Sequence, residues 1–318
     1  MTTGTRSTTR LQRSLAWTML VAQSVLVFTG ALVRLTGSGL GCAEWPTCND
    51  GNLTPVGELS MHSAIEFGNR LLGVALAVVG VLTILLLWRS RRARPDLFWF
   101  AVGLTAIVPV QAVLGGISVL TELNPWIVAG HLVPSLLAVA ASALFVRRAY
   151  DSGLPAEPAG TRAQRILAWT AYVCVWITVV MGMLVTGAGP HAGDEASARN
   201  GLDTLLMARL HAAPVYVLCA ALLGLLVLNR RQAADDPAEA RRTLAPLLVT
   251  IVVVLAQGVV GYVQFFTGVP WMLVSVHIVG ICLVLAASTA MLDSQYRRPS
   301  FAQADAPRTD AASPMSSV

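Results

Sequence analysis

Eight stretches of this chain stay apolar for about 20 residues each, the length an α-helix needs to cross a hydrocarbon layer of about 30 Å. They fall at roughly 15–36, 63–88, 97–120, 126–147, 165–187, 204–228, 244–266 and 271–292. Inside hydrocarbon every backbone N–H and C=O needs an internal partner, so runs of this kind are read as helices. Only 12% of the residues are charged, against about 25% in soluble domains, which excludes an ordinary water-soluble fold. The expected class is an all-α membrane protein with eight transmembrane helices. The first run follows a short arginine-bearing tail and no A-x-A-like site follows it, so it reads as a retained span rather than a signal peptide.

All 22 basic residues are arginines, and their placement orients the spans. Arg6, Arg10 and Arg13 precede span one, and Arg89, Arg91, Arg92 and Arg94 follow span two. Arg147, Arg148, Arg162 and Arg165 lie between spans four and five, and Arg230, Arg231, Arg241 and Arg242 between six and seven. Arg297, Arg298 and Arg308 follow span eight, while Arg34, Arg70, Arg199 and Arg209 fall at the other end. The rich side is expected to be cytoplasmic, with both termini inside. The net charge of +5 then reflects topology and calls for no nucleic-acid partner. All-arginine, alanine-rich usage fits a bacterium with GC-rich coding, hence the cytoplasmic membrane.

The chain also repeats itself. Gln111–Ala–Val–Leu–Gly115 matches Gln257–Gly–Val–Val–Gly261, and Thr36–Gly–Ser–Gly39 resembles Thr186–Gly–Ala–Gly189. His131 and His277 each lie 20 residues after their glutamine. Four spans restore the orientation, so the expected architecture is two tandem parallel-repeat four-helix bundles. The expected organisation is a tail at 1–14, a first bundle at 15–150, a linker at 151–164, a second bundle at 165–294 and a disordered tail at 295–318, rich in Ala, Ser, Asp and Pro.

Three histidines sit inside the spans, where an ionisable side chain usually has a task. At 1.5 Å per residue, His131 and His277 lie about 8–9 Å below the outer boundary and His211 about 10 Å. His211 and His277 can therefore face each other at one depth, as two axial ligands of a haem iron would. The alternative is a pair of buried histidines bonded to backbone or water. In the first half Asn69 takes the place of His211, and His62, one turn nearer the surface, is a candidate ligand or an interfacial histidine. Glu66 is either a carboxylate acting beside a first-half haem as base or stabiliser, or half of an i,i+4 pair with Arg70. Arg70 and Arg209 are candidates for haem propionates, or for headgroups by snorkelling.

Cys42 and Cys48 share an outer loop and can close a disulfide, either as a structural clip or as a redox pair. Cys174, Cys219 and Cys282 read as packing residues, and His191 as a solvated loop residue. No Walker loop, Ser–His–Asp order or H-E-x-x-H appears. The residues leave two rivals open: a bis-histidine cytochrome that only passes electrons, and a duplicated transporter, whose site would lie nearer the bilayer centre.

Thr36–Gly–Ser–Gly–Leu–Gly–Cys–Ala–Glu–Trp–Pro–Thr–Cys48, then Ile65–Glu–Phe–Gly–Asn–Arg70, then the histidines of spans four, six and eight, resemble the haem A synthase family across all eight spans. The resemblance implies an oxidoreductase that converts the C8 ring methyl of haem O to a formyl group through hydroxylated stages. It implies haem O as substrate in the first half, with His131 as its ligand and Glu66 as the catalytic carboxylate. It implies haem b in the second half, held by His211 and His277, and an outer-loop cysteine pair at Cys42 and Cys48. A haem O-producing farnesyltransferase upstream and terminal oxidase assembly downstream are the implied partners, alongside membrane lipid. The family often has histidine where this chain has Asn69, and some members carry a second cysteine pair in the loop after span five that is missing here.

Overall fold

A computed structural model describes residues 8–55, 60–190 and 197–298. Among them, eight helices are long and apolar enough to cross a membrane. These are α1 (Arg10–Leu35), α2 (Met61–Leu87), α3 (Pro95–Leu120), α4 (Pro125–Arg148), α5 (Arg162–Ala188), α6 (Thr204–Asp235), α7 (Pro237–Phe266) and α8 (Trp271–Ser294). The chain is a multi-pass, all-α membrane protein.

The helix starts follow local chemistry. Thr9 and Gln12 form a reciprocal capping box on α1, and Thr161 and Gln164 do the same on α5, so the first orphan N–H groups of both helices are satisfied. Pro95, Pro125 and Pro237 stand in the first turn of their helices, where a missing N–H costs nothing. α6 and α7 run past the expected ends of their spans, to Asp235 and from Pro237. Hydropathy marks only the lipid-filled length, whereas the helical hydrogen-bond ladder continues into the polar interface. There Asn229 donates to the Ala240 carbonyl (3.0 Å) and Thr243 hydroxyl (2.7 Å), tying the extensions together.

α4 and α8 lie at the centre. Each packs on the other and on both α1 and α5, with α3 and α7 as their respective hairpin partners. One apolar cluster, including Val27, Leu136 and Val139 with Val175, Leu222 and Leu285, spans helices from both halves of the chain. A second, around Met19, Leu76, Leu97 and Phe145, lies wholly within α1–α4.

The arginine-rich end is stitched by ions. Asp293, at the end of α8, pairs with Arg147 (2.8 Å), Arg148 and Arg298 (3.2 Å). Arg94, nearly fully buried, pairs with Asp96 at 2.8 Å and Asp151 at 3.7 Å. Arginines that the sequence offers only as topology markers thus also lock α3, α4 and α8 together. A two-residue antiparallel ladder joins β1 (Glu157–Pro158) in the linker to β2 (Tyr296–Arg297). Residues 295–298, expected to open a disordered tail, therefore continue the fold, and Gln295 is buried. Residues 299–318 and His191 lie outside the described residues.

Candidate functional site

At the end opposite the arginine-rich turns, the loop after α1 folds back onto α2. Cys42 and Cys48 are joined in a disulfide with Cα atoms 4.3 Å apart. Glu44 accepts hydrogen bonds from the Gly51 N–H (3.0 Å) and the Thr47 hydroxyl (2.8 Å). These donors, the backbone one foremost, hold its carboxyl below the ordinary glutamate range.

Three contacts dock this loop. Gly41 lies so close to α2 that a Cβ would stand 2.5 Å from the His62 carbonyl carbon. The indole of Trp45 packs directly on Gly116 of α3, where any Cβ would collide with it. The third contact is the Glu66–Arg70 pair. Glu66 is 5% exposed. Its Oε2 accepts from the Cys42 N–H at 2.8 Å and its Oε1 from Arg70 at 2.6 Å. Arg70 also donates to the carbonyls of Thr47 (2.8 Å), Glu44 (3.1 Å) and Cys42 (3.3 Å). One guanidinium therefore holds both the acid and the disulfide loop.

This geometry carries a stability prediction. Arg70→Met is expected to cost on the order of 3 kcal/mol, the scale for breaking a buried ion pair, read as a lowered thermal midpoint in detergent. Arg70→Lys should recover little, because a point-charge ammonium cannot reproduce the guanidinium fork. A midpoint unchanged in Arg70→Met would show that the loop does not depend on this clamp.

The other first-half candidates sit nearby. His62 is exposed and its Nδ1 lies 3.0 Å from the Ser38 hydroxyl. Asn69 turns toward α1, where its Oδ1 accepts from Thr29 at 2.8 Å. His131 faces Gly115, with a hypothetical Cβ 3.6 Å from its Cε1, and its Nδ1 is buried without a partner. Gly115 is the neighbour of the glycine that seats Trp45, so His131 and the loop meet adjacent residues of α3. Gln111 donates to Ser135, one turn past His131.

In the second half the rings of His211 and His277 are 6.3 Å apart, centre to centre, with planes at 67°. His211 Nδ1 lies 2.8 Å from the Thr178 carbonyl. A carbonyl only accepts, so Nδ1 carries the proton and Nε2 keeps the free lone pair. His277 Nδ1 is buried without a partner. Gln257 donates to the His277 carbonyl at 2.7 Å, and Gly280 makes room for that side chain. Gly182 and Gly261 stand against the two rings, with hypothetical Cβ atoms 3.0 and 3.4 Å from their Cε1 atoms. Arg209 is exposed, away from these contacts.

The structure thus brings Glu66, Arg70, Cys42, Cys48 and Trp45 into one cluster, and His211 and His277 into another. Among the described residues no three or more His, Cys, Asp or Glu side chains gather as a metal-ion site. Two imidazoles with free ring nitrogens can still share one metal that a macrocycle also holds. Several contributors escape the sequence reading as site residues: Trp45 and the glycines facing each ring. One signal was legible, since His131 and His211 are each followed three residues later by an in-helix proline, Pro134 and Pro214. Each proline removes a helical N–H one turn from the ring.

Comparison with known proteins identifies the family. A heme A synthase of Staphylococcus epidermidis is 26% identical over 210 residues, covering 60% of this chain and 68% of that protein. One from Staphylococcus carnosus is 26% identical over 181 residues, 55% of this chain and 58% of the relative. One from Geobacillus thermodenitrificans is 30% identical over 113 residues, 36% of this chain and 35% of the relative. The family model described as cytochrome oxidase assembly protein, COX15-CtaA, matches residues 13–289, a range that reaches into all eight helices, and the chain belongs to that family.

Proposed function

We propose that this chain is a haem A synthase that takes haem O as substrate in its first half and holds haem b in its second. The observation that carries the reading is the facing pair His211 and His277. The two ring centres lie 6.3 Å apart, a spacing at which both imidazoles would be able to hold one haem iron between them. The proton on His211 Nδ1 leaves its Nε2 free for metal, and the carbonyl that accepts it orients the ring. Gly182 and Gly261 keep bulk away from both rings.

Bound haem b supplies one-electron redox chemistry. On the substrate side His131 is the ligand, on α4, with one ring nitrogen buried and unpartnered. Taking the C8 methyl of haem O to a formyl group through hydroxylated stages would add one oxygen atom, at the oxidation level of water, and release four protons and four electrons, so the reaction requires an electron acceptor as co-substrate. Glu66 takes up a proton released from that carbon. Its carboxylate is aimed by the Cys42 N–H and Arg70, and the docked loop shields the end of the bundle from water. The cysteine pair acts as a clip that fixes the N–H of Cys42 on Glu66. The protein lies in the bacterial cytoplasmic membrane with both termini inside. It receives haem O from a farnesyltransferase and passes haem A to terminal oxidase assembly.

Haem extraction and mass analysis of the purified protein tests the reading. Haem b together with hydroxylated or formylated farnesyl porphyrins is expected. Haem b alone would mark an electron-transfer cytochrome, and a preparation without a Soret band would mark a transporter.

A further inference from the structure

We propose that the arginine-rich end of the α1–α2 pair is a binding site for one anionic phospholipid, with its phosphate on Arg10 and Arg13 and an acyl chain along the groove between the helices. α5 and α6 pack closely, with Leu167 against Gly224. α1 and α2 instead part and leave a cavity of about 810 Å³. Its walls are apolar, among them Val21, Val25, Leu26, Leu72, Leu76 and Val79. Its mouth is polar and basic, formed by Arg10, Arg13, Ser14, Trp17, Thr18 and Tyr150.

The mouth is a built structure. Thr8 donates to the Ala149 carbonyl at 2.6 Å, pinning the residue before the α1 cap to the end of α4. Arg13 donates through Nε to Thr8 (3.2 Å) and lies over the Tyr150 ring, 4.8 Å from its centre. Trp17 donates to the Tyr150 hydroxyl at 3.2 Å, and Gln12 ties α1 to Ser90 at the end of α2 at 3.1 Å. Neither Arg10 nor Arg13 forms an ion pair among the described residues, although the other arginine cluster at this end is rich in carboxylate partners. Two guanidiniums without an ion-pair partner, Arg13 held by Thr8 and Tyr150 and Arg10 exposed at the same mouth, at the interface where anionic lipid headgroups lie, suit a phosphodiester.

The groove has the dimensions of one leaflet. From Ser14 to Leu26 the helix rises about 18 Å, against a half-thickness of about 15 Å. At its inner limit Thr29 donates to Asn69 at 2.8 Å, and Gly30 packs on that amide, so the groove ends below the outer site. The equivalent place in the second half differs: Arg165 is taken up by the carbonyls of Ala159 (3.2 Å) and Gly160 (3.0 Å).

Native mass spectrometry of the full-length protein in detergent tests this, titrated with phosphatidylglycerol, phosphatidylcholine, inorganic phosphate or farnesol. One phosphatidylglycerol should bind at least tenfold more tightly than phosphatidylcholine. The R10Q/R13Q double variant should lose that preference. R89Q/R92Q removes the same charge from exposed positions at the same end, off the groove, and should keep it. Size exclusion establishes that each variant is folded, and R13K serves in place of the double variant if that one aggregates, with a partial loss expected. Equal binding of the two phospholipids overturns the proposal, as does an undiminished preference in the arginine variants. Saturation by inorganic phosphate alone overturns it in favour of a free-anion site, and binding of farnesol without phosphatidylglycerol in favour of an isoprenoid groove.

Discussion

Glu66→Gln is expected to lower haem A formation by about a hundredfold or more, the scale of losing a positioned acid–base group, while the helices and haem b remain in place. Glutamine is the informative substitution. Its amide oxygen can still accept from the Cys42 N–H or from Arg70, the two donors that hold the carboxylate, so the loop stays docked and only the proton-accepting charge goes. Glu66→Ala removes the acceptor as well and leaves Arg70 with the loop carbonyls alone. The measurement is the ratio of haem A to haem O extracted from membranes, together with the visible spectrum of the purified variant. Normal haem A in Glu66→Gln would remove Glu66 from the chemistry and leave it as a structural partner of Arg70.

His211→Ala and His277→Ala should each abolish the low-spin haem b spectrum and lower bound haem at least tenfold, since loss of one axial imidazole leaves a single protein bond to the iron. His131→Ala is the matched control. It sits on α4 rather than α8 and should leave the low-spin signal intact while haem A production falls. The two readouts separate the clusters: a spectrum lost in the second-half variants and a product lost in the first-half variant. An unchanged low-spin spectrum in either His211→Ala or His277→Ala would refute the axial assignment. Substitution of Gln257 by leucine probes the layer behind. It deletes the bond to the His277 carbonyl, and a second-layer partner of a ligand is typically worth about 10- to 100-fold in affinity.

The number of helices and their chemistry were legible because lipid imposes a simple rule. A run long enough to cross and apolar enough to stay must be a helix, so hydropathy alone locates eight of them. That His211 and His277 could come to one level was also legible, since rise per residue converts position into height along a helix, and their rings do meet. The rest was not. The sequence left Glu66 open between acid chemistry and a pair with Arg70, and the structure shows the pair while adding the Cys42 N–H. It offered Arg70 to propionates or headgroups, and gave no sign that the guanidinium also grips three loop carbonyls.

The sequence by itself determined the class and the span count, because these depend on composition along a single segment. Tertiary structure alone decided that Trp45 seats on Gly116, that a glycine backs each imidazole and that Asp293 draws in Arg147 and Arg148 from the end of α4. Those contacts join residues far apart in the chain, and their existence turns on how two helices are rotated and spaced against each other. No local pattern of polarity encodes that rotation, since it emerges only when all the side chains between the helices are packed at once.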